Sequence, residues 1–423
     1  MQLLFNAEIH TAAAVLRDGI VLVGDDGRIA AVQPASQPLP VPDSACRPVD
    51  LGGGILAAGF IDLQVNGGGG VLFNDTPTVD GLRRIAAAHR RFGTTALLPT
   101  VITDSPAVRR AAAAAVTAAR KAGVPGILGV HFEGPCINPA RRGVHDARFI
   151  PPAFPPPDGE EVASLTAPRP LPVLVTLAPE RVTPAFIGRL TAAGVRVAAG
   201  HSDATWEQAI AGLTAGITGF THLYNAMSPL GHREPGMVGA ALDSRDSWCG
   251  IILDGHHVHD AAARLAWRAK PPGRLFLVTD AMPPVGMAAE PPPVGMAAEP
   301  PVVGMAEGDF SLYGTPVRVE DGRCVSADGR LAGSALDMAT AVRNAVHRIG
   351  IPLDEALRMA SAYPADFMGL GAERGRIAPG LAADLVHLDH TLTVRSTWID
   401  GVRSTWIAGI QESLVTAGKS PPR

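Results

Sequence analysis

Five short segments carrying histidine or an acid stand in order along the chain, each closing a run rich in β-branched and other apolar residues. They are His131-Phe132-Glu133-Gly134, Gly200-His201-Ser202-Asp203, Thr221-His222-Leu223-Tyr224-Asn225, Asp254-Gly255-His256-His257-Val258 and Val278-Thr279-Asp280-Ala281. Apolar runs of this length bounded by turn residues read as buried parallel strands. Polar residues gathered at successive strand ends are where a (β/α)8 barrel builds its active site. A lone histidine is more often a buried core residue bonded to backbone. Five such ends together point to a metal-dependent hydrolase.

Strand candidates fall at 59–66, 95–102, 126–133, 173–178, 195–201, 219–225, 249–254 and 275–280. Helical stretches at 79–91, 105–122, 183–193, 205–215 and 260–270 follow most of them, and 334–349 and 353–367 supply the last helices. Strands alternating with helices argue for parallel βαβ units in an α/β fold, and eight strands favour a closed TIM-type barrel over an open sheet. The 423 residues exceed the roughly 250 that a barrel needs. Residues 1–55 and 376–423 share a texture of short strands and turns, so they are expected to form one small β-sandwich domain around a barrel at 56–375.

A net charge of -4 gives no electrostatic case for nucleic acid. Cys46, Cys136, Cys249 and Cys324 are scattered without a CxxC pair, which argues against a zinc ribbon and a disulfide framework. The first residues carry no cationic lead, and no run approaches the roughly 18 apolar residues of a membrane span. A cytoplasmic protein that does not engage membranes is the expectation. Two duplications stand out: PPVGMAAEP at 283–291 recurs unchanged at 292–300, and VRSTWIDG at 394–401 returns as VRSTWIAG at 402–409. The first follows the Asp280 strand end and is expected to extend a barrel loop, as a tolerated expansion because long surface loops cost little entropy, with a functional lid as the alternative. The second offers an extra edge-strand copy, with either copy able to pair.

The run Gly59-Phe60-Ile61-Asp62-Leu63-Gln64-Val65-Asn66-Gly67 resembles the first-strand motif of the amidohydrolase superfamily. With the segments HFEGP, AGHSDA, THLYNAM, REPG, DGHHV and LVTDA in the same order, the chain resembles the N-acetylglucosamine-6-phosphate deacetylase family over nearly its whole length. Many amidohydrolases carry His-x-His where this chain has Gln64 and Asn66. Neutral amides are poor ligands for a transition metal beside imidazole, so one metal is expected rather than two.

The resemblance implies Glu133, His201 and His222 as ligands of one divalent metal per chain, with zinc first and iron or another divalent ion as alternatives. Such a set leaves an open position for water, whose pKa the metal lowers to about 7. It implies Asp280 as the general base and acid, and His145 as the residue that polarises the acetamide carbonyl. Val144, Asn225, Ala226, Arg233, His257 and the segment Leu331-Ala332-Gly333 become substrate contacts, with Arg233 and His257 among those reading the 6-phosphate. Leu331 to Ser334 is expected to be the loop that opens the penultimate helix. Arg141 and Arg142 read as solvated loop charges, His256 as a variable position and His259 as a helix-start residue. The partner implied is a small phosphorylated amino sugar, bound by a homodimer. Rival readings are an amidohydrolase acting on another N-acyl amino sugar or a cyclic amide, and an inactive barrel with a scaffold role.

Overall fold

Eight parallel strands lie side by side in chain order in the computed structural model, which describes residues 1–39, 46–287, 308–407 and 410–412. They are β1 (Phe60–Val65), β2 (Thr94–Ile102), β3 (Val130–Glu133), β4 (Val173–Leu177), β5 (Arg196–Ala199), β6 (Gly219–Phe220), β7 (Trp248–Ile251) and β8 (Leu275–Leu277). All six residues of β1 and all nine of β2 are buried, as their apolar and β-branched composition requires. The ring closes just past β8. Val65 bridges Ala281, the Asp280 amide donates to the Gln64 carbonyl at 3.0 Å, and the Asn66 amide donates to the Ala281 carbonyl at 2.9 Å. The fold is a (β/α)8 barrel.

The helices start where their caps stand. Thr78, Ser105, Thr183 and Thr205 each accept an N–H from the first turn of the helix that follows, and Thr205 with Gln208 forms a reciprocal capping box. His259 caps Asp260–Ala269, in keeping with its expected place at a helix start. The helix expected over 334–349 begins later, at Met338, because Asp337 rather than Ser334 caps it. Leu331–Ser334 is instead the last strand of an antiparallel sheet with Phe310–Leu312, Thr315–Glu320 and Arg323–Ser326, and Ser334 bridges Ala281 at the barrel seam. Pairing with the seam claims a segment that local sequence reads as a helix entrance.

The terminal segments build two further sheets. Strands Ile29–Pro34, Gly19–Val23, Gln2–Phe5 and Arg47–Asp50 form one; the second runs Ile410–Glu412, Val402–Ile407, Val394–Ile399, Leu385–Leu388, Ile55–Ala58, Glu8–His10 and Val15–Leu16. Leu4, Ile9, Val21, Leu56, Leu385 and Trp398 fill the core of this small β domain. Gly59 joins it to β1 where a Cβ would overlap the Thr95 side chain. Both copies of the VRSTWI duplication pair, as the two arms of a hairpin with Trp398 opposite Arg403. The turn is Asp400-Gly401, with φ of 46° and 77°, the left-handed pair that a tight hairpin demands. The PPVGMAAEP repeat lies outside the described residues beyond Met287. No helix among the described residues is long and apolar enough to cross a membrane.

Candidate active site

Backbone strain collects at one end of the barrel. Of the ten non-glycine residues with positive φ among the described residues, five (His201, His222, Tyr224, Ala226 and Asp280) stand just beyond the C-terminal ends of β5, β6 and β8. Such conformations cost about 1–3 kcal/mol each and persist where the surroundings enforce them, often at functional sites. Here the sharp turn ends each strand and leaves a polar side chain at the barrel mouth.

Glu133, at the end of β3, meets His201 and His222 there. Its Oε1 lies 2.9 Å from His222 Nε2 and 3.3 Å from His201 Nε2, and the two nitrogens are 3.0 Å apart. His201 Nδ1 lies 2.9 Å from the Arg141 carbonyl, which can only accept, so the ring proton sits on Nδ1 and Nε2 keeps its lone pair. Burial works to raise the Glu133 carboxyl, but hydrogen bonds and attraction from His201 and His222 outweigh it and hold the group well below its ordinary range. Burial lowers His222, yet the bond to Glu133 and its charge carry the ring above its usual value. A tetrahedral ion with bonds of about 2.0–2.1 Å needs ligand atoms roughly 3.4 Å apart. The observed triangle is within about half an ångström of that, and its donor chemistry fits a divalent metal.

His145 also reaches this cluster, its Nε2 3.8 Å from Glu133 Oε2, and ligand atoms of Glu133, His145 and His201 lie within 4.8 Å of one another. Its other nitrogen argues against ligation. The Thr103 amide donates to His145 Nδ1 at 3.3 Å, which leaves the proton of a neutral ring on Nε2. Burial, followed by repulsion from His201, holds the ring well below its usual pKa, hence neutral. His145 faces the cluster as a donor.

Gln64 and Asn66 act as donors too. Gln64 Nε2 donates to Glu133 Oε1 at 2.9 Å and to Asp280 Oδ1 at 3.2 Å, while Asn66 Nδ2 donates to the same Asp280 oxygen at 2.6 Å. Burial, then the charge of Glu133, pushes the Asp280 carboxyl up to about 6. The first-strand amides thus tie both carboxylates together.

The remaining expected contacts divide. His257 Nδ1 is held by Asp254 Oδ2 at 2.6 Å, and Asp254 Oδ1 accepts the amides of His256 and His257 at 2.8 Å each. His256 is exposed. Asn225 Nδ2 donates to the carbonyl of His222 at 3.3 Å, and Ala226 sits at φ 51°. Val144 packs against the apolar cluster around Met282 and Phe310, and Gly333 takes φ 65° beside Asp280 and Met282. Arg233 is exposed and has no hydrogen bond or ion pair among the described residues. Its neighbour Glu234 is already engaged, accepting the amides of Trp206 and Gly236 at 2.9 Å each. Arg141 and Arg142 are more than solvated charges. Arg141 pairs with Asp203 at 2.8 Å while its carbonyl orients His201, and Arg142 Nη1 donates to the His145 carbonyl at 2.8 Å. Thr103 and Asp254 escape sequence reasoning because each acts through a partner that the fold brings to it. Only the position of Asp254 within the DGHHV segment offered a signal.

The amidohydrolase family profile matches residues 304–409. The chain is 47% identical over 83% of each chain to an N-acetylgalactosamine-6-phosphate deacetylase of Shewanella sp. (strain ANA-3). It is 34% identical to an N-acetylglucosamine-6-phosphate deacetylase of Haemophilus influenzae, covering 94% of this chain and 98% of that one. The crystal structure of N-acetylglucosamine-6-phosphate deacetylase from Pasteurella multocida superposes with a TM-score of 0.86 at 35% identity, covering 96% of this chain and 99% of that one. The chain therefore belongs to the N-acetylglucosamine-6-phosphate deacetylase family, metal-dependent amidohydrolases that cut a carbon–nitrogen bond.

Proposed function

We propose that this chain hydrolyses the acetamide of N-acetylglucosamine 6-phosphate to acetate and glucosamine 6-phosphate. The observation that carries the reading is the convergence of Glu133, His201 and His222 within 2.9 to 3.3 Å, with Asp280 tied to the same cluster through Gln64. Those three side chains would hold one divalent metal, zinc first and iron or another divalent ion as the alternative, which when bound supplies a water acidic enough to attack near neutral pH. Asp280 takes the proton from the attacking water and delivers it to the nitrogen as the C–N bond breaks. The amine leaves neutral and the acetyl carbon keeps the new oxygen. His145 donates its Nε2–H to the carbonyl oxygen as negative charge develops there. Asn225, the Ala226 amide, Arg233 and His257 bind the phosphate, while Val144 and Leu331-Ala332-Gly333 line the sugar. The guanidinium of Arg233, exposed and without an ion pair among the described residues, supports a role in binding an anion. We place the enzyme in the cytoplasm as a homodimer.

The 47% identity to a galactosamine-type relative favours a second reading, in which the 4-epimer is the better substrate. Acetate release from both N-acetylhexosamine 6-phosphates and from the unphosphorylated sugars tests both. A higher kcat/KM for one epimer assigns the sugar. Equal rates with and without phosphate would remove the phosphorylated substrate class, and no acetate from metal-loaded protein would leave the scaffold reading.

A further inference from the structure

A cleft of about 360 Å³ opens over the hairpin formed by the VRSTWI duplication, and none of its lining residues belongs to the barrel. That volume lies in the range that accepts a small metabolite, roughly 300–1,000 Å³. The first copy contributes Arg395 and Ser396 to its wall and the second contributes Arg403 and Thr405. The register sets Ser396 directly opposite Thr405. Both copies thus give their arginine to the wall, and each adds a hydroxyl from a different position of the motif.

Charge in this cleft does not balance. Its lining acid, Asp389, is fully engaged: Oδ2 accepts from Arg395 Nη2 at 2.7 Å, and Oδ1 accepts the amides of Thr391 and Thr393 at 2.9 Å each. Arg403 has no carboxylate partner among the described residues. Its Nη2 donates to Ser396 Oγ at 3.1 Å, its Nε is buried without an acceptor, and its Cζ lies 5.2 Å from the Trp398 ring centroid. Burial, then repulsion from Arg47, pulls this guanidinium below its ordinary range. His387, only 5% exposed, donates from Nε2 to the Gly53 carbonyl at 2.8 Å and leaves Nδ1 without a partner. A partly buried cation without a carboxylate costs free energy unless a ligand satisfies it.

We propose that this cleft is a second binding site, for a small phosphorylated metabolite. Arg403 and Arg395 take the phosphate oxygens. Guanidinium forks match phosphate geometry and keep their charge at every working pH. The site stands apart from the deacetylation chemistry, so its occupancy and the barrel reaction are separable.

Calorimetric titration of the full-length, metal-loaded protein with inorganic phosphate, repeated with glucose 6-phosphate at fixed ionic strength, tests the proposal. Two binding components are expected. Arg403→Gln weakens one at least tenfold while kcat and KM for acetate release stay within twofold. Arg233→Ala removes the other. Should Arg403→Gln not fold, Arg395→Gln, at an exposed side chain, gives the same selective loss. Tighter binding of glucose 6-phosphate than of phosphate would identify a sugar phosphate as the ligand class, and equal binding would identify the bare oxyanion. A single component that both cleft variants leave unchanged would overturn the proposal. So would a change in KM that follows the loss of phosphate binding in Arg403→Gln, since that would mean one shared site.

Discussion

Asp280 lies just past β8 and Asp62 within the neighbouring β1, and burial raises both, but they answer to different tests. Asp280→Asn keeps the shape and the bond network with Asn66 but loses the proton acceptor. Its turnover should fall roughly 10²–10⁴-fold with metal content unchanged, as measured by acetate release beside elemental analysis. Near-normal turnover would assign the proton to another group. Asp62 lies within the β1–β8 junction, accepting from Thr279 Oγ1 at 2.5 Å and from the Gln64 amide at 3.2 Å, and burial pushes its carboxyl up to about 7. The folded state therefore holds a proton there that the unfolded chain has already released above about pH 4. This group's contribution to stability is intact below pH 4, declines as pH rises and is lost above about 7. Asp62→Asn should melt increasingly above wild type between pH 5 and pH 8, and a gap in melting temperature that does not widen would contradict the raised value. Arg233→Ala should cut kcat/KM for the 6-phosphorylated sugar far more than for the unphosphorylated one; an unchanged ratio would remove Arg233 from phosphate recognition. Pattern alone made the five polar strand ends legible, and the family resemblance singled out Glu133, His201, His222 and Asp280 among them as the candidates. The sequence said nothing of the hold of Thr103 on His145 or of the brace from Arg142, since those contacts depend on where separate loops settle.

Among the elements, the barrel strands were legible and the sheet over 310–334 was not. The barrel strands are continuous buried runs, such as Thr94–Ile102, whose apolar character survives without alternation. Thr315–Glu320 buries only one of its six residues, Val317, so no face of it announces a strand. The start of the helix expected over 334–349 was misplaced for a related reason. Ser334 and Asp337 both suit an N-cap, and the Ser334 hydroxyl instead donates to the Thr279 carbonyl at 2.6 Å. The hairpin made by the second duplication allows a test at this scale. Gly401 sits at φ 77°, and a Cβ there would come within 3.0 Å of Gly27 Cα. Gly401→Ala should destabilise the β domain by about 1–2 kcal/mol, the usual cost of a left-handed residue, without changing KM. Denaturant melts followed by tryptophan fluorescence read the first quantity, and an unshifted midpoint would mean the turn relaxes freely.

At the scale of the molecule, Glu133, His201 and His222 come from the ends of three different strands, so an ion gripped by all of them would fasten β3, β5 and β6 to one another. Removing metal with a chelator should lower the melting temperature, one equivalent of divalent metal per chain should restore it, and a second equivalent should add nothing. A melting temperature indifferent to chelation would argue against the three-residue grip. The two-layer plan of barrel plus terminal β domain was readable from texture, whereas the cleft over the hairpin was not, because it depends on the register between two identical copies. The barrel seam has a further consequence. Asp280, Gln64 and Asn66 serve the proposed chemistry while the backbone beside them closes the ring between β1 and β8. Most barrels of this kind can vary a rim loop without disturbing the staves, but here the proposed proton carrier is mounted on the weld itself. Under random mutagenesis, loss of activity and loss of soluble protein should fall on the same few codons at this junction, leaving selection little room to alter one without endangering the other.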